Sequence, residues 1–137
     1  MTGKKKMTKP KVLIVDDDVA ITQQLFWTLC DEFEVMTAND LSSAIRRATI
    51  YEPDTVVLDL HLPPTLDSPD AGLRVLDFVR RQLPFSKVFV ASSDPSVEMR
   101  NDCIRRGAEG YFDKPLDVER LLSTVRRTAL SRRLAAA

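Results

Sequence analysis

Four short apolar runs in this 137-residue chain each lead into residues with usable chemistry. Val12–Val15 leads into Asp16-Asp17-Asp18, Thr55–Leu58 into Asp59, Val88–Ala91 into Ser92-Ser93, and Tyr111-Phe112 into Asp113-Lys114-Pro115. A fifth run, Phe33–Met36, continues into Thr37-Ala38-Asn39 without a comparable charge. Carboxylates held within a few ångströms raise one another's pKa unless a cation joins them. Mg2+, or Mn2+ in its place, meets that need: such hard ions take oxygen ligands and combine one or two carboxylates with a phosphate. Asp16, Asp17 and Asp59 are therefore candidate metal ligands. Lys114 is a counter-cation, and the Ser92 hydroxyl a donor to a phosphoryl oxygen. Together they suit phosphoryl transfer with Asp59 as a carboxylate nucleophile. Taken singly, each is ordinary. Asp18 alone reads as a helix N-cap, and Ser92-Ser93 before Asp94-Pro95 also suits a turn.

These residues meet only if the apolar runs are strands of one parallel sheet. Each run is too short for a helix, and most are rich in Val, Ile and Phe, the pattern of strands buried on both faces. Helical periods lie between them: Ile21, Leu25 and Leu29; Leu41, Ile45 and Thr49; Leu73, Leu76 and Val79; a weaker set within Ser96–Arg106; and Leu121, Val125 and Ala129. Asp18, Asp40 and Asp117 stand at N-cap positions, and Gly107 follows the basic pair Arg105-Arg106 as a helix stop. Five strand–helix units in succession argue for an α/β sandwich with helices on both faces. In such a sheet, function collects beyond the carboxyl ends of the strands, where all four chemical groups fall. Periodicity leaves the strand order open.

Composition narrows the field. Lys plus Arg and Asp plus Glu are 20 each, so the net charge of zero does not indicate a basic nucleic-acid binder. One His and two separated cysteines, Cys30 and Cys103, exclude a zinc finger. No apolar run has the length of a membrane span, and Val12–Val15 after Lys4-Lys5-Lys6 is too short for a secretory signal, so a cytoplasmic location is expected. The domain is expected over residues 11–130, between a flexible basic tail at 1–10 and a C-terminal tail at 131–137.

Four motifs in order resemble the receiver domain of bacterial two-component response regulators: Val12-Leu13-Ile14-Val15-Asp16-Asp17-Asp18, Val56-Val57-Leu58-Asp59-Leu60-His61-Leu62-Pro63, Val88-Phe89-Val90-Ala91-Ser92-Ser93, and Gly107-Ala108-Glu109-Gly110-Tyr111-Phe112-Asp113-Lys114-Pro115. The resemblance spans Lys11 to about Thr128. It implies a flavodoxin-like, doubly wound five-stranded parallel sheet of order 2-1-3-4-5 with five helices. It implies that Asp59 accepts a phosphoryl group from a histidine kinase or histidine phosphotransfer protein. It further implies that Asp17 binds Mg2+ directly, Asp16 mainly through water, and His61 through its backbone carbonyl. Lys114 would pair with the acceptor and then with the phosphoryl group. Ser92 and Tyr111 would be the switch residues, passing the event to the surface of the fourth helix, fifth strand and fifth helix. That surface would dock an effector, or an output domain outside this chain, or pair two copies. The Lys114–Pro115 bond would be cis. His61 and Asp94 would tune water access to the acyl phosphate. Self-phosphorylation and self-dephosphorylation are the only turnover expected, and no direct nucleic-acid contact by this domain is expected.

The chain departs from the family pattern after Pro63, where Pro64–Ala71 intervenes before Gly72. This longer loop either shapes partner choice or is a tolerated insertion. Two other functions remain in view. One is a pseudo-receiver that binds a partner without phosphorylation, against which the full set Asp16, Asp17, Asp59, Ser92 and Lys114 argues. The other is a phosphatase of the haloacid dehalogenase type with its nucleophile on the first strand. There Ala20 stands where Thr or Val is wanted, and phosphorylation of Asp59 rather than Asp16 separates the chemistries.

Overall fold

A computed structural model describes residues 9–94 and 96–136. Residues 1–8, most of the expected basic tail, lie outside the described residues. Strands and helices alternate: β1 (Lys11–Val15), α1 (Val19–Leu29), β2 (Glu34–Ala38), α2 (Leu41–Tyr51), β3 (Thr55–Leu58), α3 (Asp70–Gln82), β4 (Lys87–Ser92), α4 (Val97–Arg105), β5 (Gly110–Asp113) and α5 (Val118–Ala136). The five strands form one sheet in the order β2-β1-β3-β4-β5, with every neighbouring pair parallel. This is the flavodoxin-like α/β sandwich expected from the motifs.

Alternation along the strands divides the core between two faces. Leu13, Val15, Val56, Leu58, Val88 and Val90 pack with residues of α2, α3 and α4. Val12, Ile14, Val57, Phe89 and Ala91 pack with residues of α1 and α5. Both faces of β3 are therefore buried, which explains its unbroken Thr-Val-Val-Leu run.

The caps fix where the helices begin. The Asp18 carboxylate accepts from the backbone N–H groups of Ala20 and Ile21. Asp40 and Ser43 form a reciprocal capping box. Asp117 accepts from the Arg120 N–H at 3.1 Å. At the other end of α4, Gly107 takes φ of 104°, a left-handed conformation favouring glycine, while Ala108 N–H reaches the Cys103 carbonyl.

Two of the differences from the expected boundaries have a clear tertiary cause. Phe33 begins the second apolar run but precedes β2. Its N–H closes the turn after α1 on the Leu29 carbonyl, and its ring fills the α1–α5 core. The strand instead extends through Ala38. At the C-terminus, α5 continues through Ala136, so residues 131–136 of the expected tail are helical. Leu, Arg and Ala there are strong helix formers. Arg132 also anchors the extension on Asp54, at 2.5 Å, beside the Lys11 N–H that bonds the same carboxylate.

Candidate functional site

The strand order makes β1 and β3 neighbours, with Val15 opposite Leu58. Each strand then ends in an aspartate. Asp59 N–H donates to the Val15 carbonyl at 2.8 Å, and Asp16 N–H to the Ala38 carbonyl at 3.0 Å. Backbone pairing thus carries both residues one step past the strands and holds them side by side. One carboxylate oxygen from each of Asp16, Asp17 and Asp59 falls within a cluster 4.8 Å across. Asp16 and Asp59 are buried, whereas Asp17 faces solvent.

Lys114 reaches this cluster from the end of β5. Its Nζ lies 2.6 Å from Asp16 Oδ2 and 3.4 Å from Asp59 Oδ2. The ammonium therefore bridges two carboxylates and sits closer to Asp16 than to the expected acceptor. The other oxygens are also engaged: Asp16 Oδ1 accepts from Asp18 N–H at 2.9 Å, and Asp59 Oδ1 from His61 N–H at 3.4 Å. Burial pushes the Asp59 pKa above the usual carboxylate range; Asp16 adds to this, and Lys114 opposes it. For Lys114, burial works against the charge, but the hydrogen bond to Asp16 and the charge of Asp59 hold its pKa above the usual lysine value. The ammonium stays protonated because the acids surround it.

The expected switch residues occupy one path. Ser92 is buried at the end of β4, and its Oγ accepts from Asp94 N–H at 3.1 Å. Leu58 is opposite Val90, so Ser92 stands one residue beyond the level of Asp59. Tyr111 is buried on β5, and its hydroxyl donates to the Asp94 carbonyl at 3.0 Å. Burial raises the pKa of that hydroxyl. The Arg100 guanidinium of α4 lies 4.9 Å from the centre of the Tyr111 ring. The Asp94 carboxylate accepts from Ser96 N–H at 2.8 Å.

His61 is half-buried beside the cluster. Its Nδ1 lies 3.1 Å from the Leu66 carbonyl, so Nδ1 carries the proton in this contact. The side chain thus ties the site to the long β3–α3 loop. Within that loop, Thr65 Oγ1 accepts from Ala71 N–H at 2.9 Å, serving the start of α3 where Pro69 supplies no side-chain cap. Gly72 closes the loop against the backbone two residues past β3: a Cβ there would lie 2.5 Å from the Leu60 carbonyl oxygen. Lys114–Pro115 is cis, and so is Pro63–Pro64. The Pro-Pro pair was the available signal for the second, which sequence reasoning passed over.

Sequence reasoning also passed over Asn39. Its Nδ2 donates to the Asp16 carbonyl at 2.9 Å. The signal was its place at the end of a strand in the site-bearing edge; its lack of charge hid it.

The pattern of the response regulator receiver domain matches residues 12–126. The chain belongs to that family. The transcriptional regulatory protein PrrA of Mycobacterium bovis is 38% identical to this receiver domain over 128 residues, which are 93% of this chain and 52% of PrrA. The nitrogen assimilation regulatory protein NtrX of Azorhizobium caulinodans is 31% identical over 125 residues, 90% of this chain and 27% of that protein. The chain thus spans about half the length of PrrA and less of NtrX. Among solved structures, the receiver domain of NtrX from Brucella abortus superposes with a TM-score of 0.75 at 33% identity, covering 85% of this chain and 96% of the other. A CheY-like receiver domain from Methanospirillum hungatei reaches 0.84 at 22% identity, over 93% and 99% of the two chains, a likeness of fold alone.

The acidic site of this receiver domain is consistent with aspartyl phosphorylation, and its three carboxylates can hold a metal ion. The donor set fits a hard divalent cation: every candidate side-chain ligand atom is an oxygen, and the cluster has drawn in an ammonium. No helix among the described residues is long and apolar enough to cross a membrane.

Proposed function

We propose that this receiver domain is a phosphorylation-activated signalling switch with Asp59 as its phosphoacceptor. The observation that carries this reading is the convergence of Asp16, Asp17 and Asp59 within 4.8 Å, with Lys114 against two of them. A carboxylate oxygen of Asp59 attacks the phosphorus of a phosphohistidine on a histidine kinase or phosphotransfer protein. The P–O bond forms as the P–N bond breaks, and the electron pair returns to the donor's imidazole nitrogen. Asp17, Asp59 and the His61 carbonyl would hold Mg2+ or Mn2+, and Asp16 would act mainly through water. The bound cation supplies charge neutralisation for the incoming phosphoryl oxygens.

Lys114 is already poised between Asp16 and Asp59, so a short swing brings its ammonium onto a phosphoryl oxygen. The Ser92 hydroxyl donates to another. That motion draws on the contact between Ser92 and Asp94, whose carbonyl holds the Tyr111 hydroxyl. Tyr111 and Arg100 then pass the change to the surface of α4, β5 and α5. There an effector docks, an output domain responds, or two copies pair. The names of the relatives point to transcriptional regulation as the class of output. His61 and Asp94 flank the acyl phosphate and set its lifetime against water. Exchanging both for Ala is expected to change the rate of phosphate loss, and an unchanged rate removes this role.

The direct test is intact mass after incubation with acetyl phosphate and Mg2+. One added phosphoryl group is expected on the unmodified chain, and none with Asp59→Asn or with EDTA. An equal gain on Asp59→Asn would move the chemistry to another residue.

A further inference from the structure

Asp17 poses a positioning problem. It is exposed, and its carboxylate accepts no hydrogen bond among the described residues. A ligand so placed is aimed only by its backbone. That backbone is held from β2. The Asp16 N–H donates to the Ala38 carbonyl at 3.0 Å, and the Asp16 carbonyl accepts from Asn39 Nδ2 at 2.9 Å. A carbonyl can only accept, so the atom of Asn39 facing it is the amide nitrogen. The rigid peptide plane that holds the Asp16 carbonyl runs through the Asp17 nitrogen to the Asp17 Cα. Fixing that oxygen therefore fixes the direction in which the chain enters Asp17. The Asp18 N–H, bonded to Asp16 Oδ1 at 2.9 Å, secures the far side. Asn39 itself is held in place: its N–H donates to Ser43 Oγ at 3.3 Å, within the cap of α2.

We infer that Asn39 is a positioning residue for the divalent cation, orienting the Asp16–Asp17 peptide so that the exposed Asp17 carboxylate meets the buried pair. This rests on the reading of Asp16, Asp17 and Asp59 as a metal site. Partners behind a metal ligand characteristically govern affinity, and losing one weakens binding by about 10-fold or more. Asn39 touches neither the cation nor the phosphoryl group, so its effect lies in metal affinity and not in the metal-saturated rate of phosphorylation.

The test uses Mn2+ as the probe, with free Mn2+ followed by its electron paramagnetic resonance signal during titration. Asn39→Ala is expected to weaken Mn2+ binding by about 10-fold. Its phosphorylation by acetyl phosphate is expected to recover the unmodified rate once Mn2+ is saturating. Arg47→Ala is the companion variant. It removes a similar bond, from Arg47 Nη1 to the Thr37 carbonyl at 2.7 Å, without touching Asp16. It is expected to bind Mn2+ no more weakly than the unmodified chain. If Asn39→Ala keeps full affinity, or Arg47→Ala loses as much, the positioning role is overturned while the metal site stands. If the unmodified chain itself binds no Mn2+, the underlying metal reading fails, and this inference with it.

Discussion

The two helices α3 and α4 lie on the same face of the sheet and are held there very differently. α3 buries Ala71, Gly72, Val75, Leu76 and Val79, and its first turn is locked to the segment just after β3 by the bond from Gly72 N–H to the Leu60 carbonyl. α4 buries only Cys103, with Met99 partly covered and Val97 and Ile104 exposed. The helix following Asp59 is deeply anchored. The helix following Ser92 rests on one thiol, which burial pushes up to about 11 and keeps neutral. A small rearrangement at Ser92 therefore works against few buried contacts at α4. The same force at α3 would have to open a packed core. The contrast locates where the molecule can yield.

The largest effect expected from this contrast is at Gly72. Gly72→Ala drives a methyl into the Leu60 backbone, and a loss of roughly 3 kcal/mol or failure to fold is expected, read by urea denaturation. Next come the anchors themselves. Leu76→Ala on α3 is expected to cost about 3 kcal/mol, against about 1 kcal/mol for Cys103→Ala on α4. Equal losses would erase the distinction between the helices.

The charged site gives a smaller effect of the opposite sign. In metal-free buffer Asp59 has its pKa raised by burial, so its ionised form is disfavoured in the folded chain. The folded state then holds a proton that the unfolded state releases, and stability falls as pH rises from the usual carboxylate range through the folded pKa. Asp59→Asn is expected to remove this decline and to be more stable at neutral pH by about 1 kcal/mol. Denaturation midpoints between acid and neutral pH in EDTA check it. Adding Mg2+ is expected to stabilise the unmodified chain more than the variant. The smallest effect is at Tyr111→Phe, which deletes the hydrogen bond to the Asp94 carbonyl and is expected to cost about 1 kcal/mol or less. Its amide exchange should rise in α4 and leave α3 unchanged.

The legible parts of this protein were those governed by short-range rules. Strand β3, the caps at Asp18, Asp40 and Asp117, and the glycine stop at Gly107 follow from local pattern and backbone geometry. The meeting of Asp16, Asp17 and Asp59 needed the strand order, which periodicity does not carry but the four motifs imply. Phe33 was misplaced because an aromatic residue before a strand reads as part of it, although tertiary packing had claimed it for the core. The extension of α5 escaped because its anchor, Arg132 on Asp54, joins residues far apart in sequence. Asn39 escaped because its contribution is one hydrogen bond to a backbone atom. Lys114 was read as the partner of Asp59, and its closer contact with Asp16 depends on side-chain placement that no spacing encodes.

Amide hydrogen exchange of α3 and α4, measured in one sample before and after adding beryllofluoride with Mg2+, shows which of the two helices yields. Beryllofluoride is the stand-in for the phosphoryl group proposed on Asp59. Altered exchange is expected in α4 and β5, and unaltered exchange in the buried turns of α3. An equal change in both helices, or a change confined to α3, would contradict it.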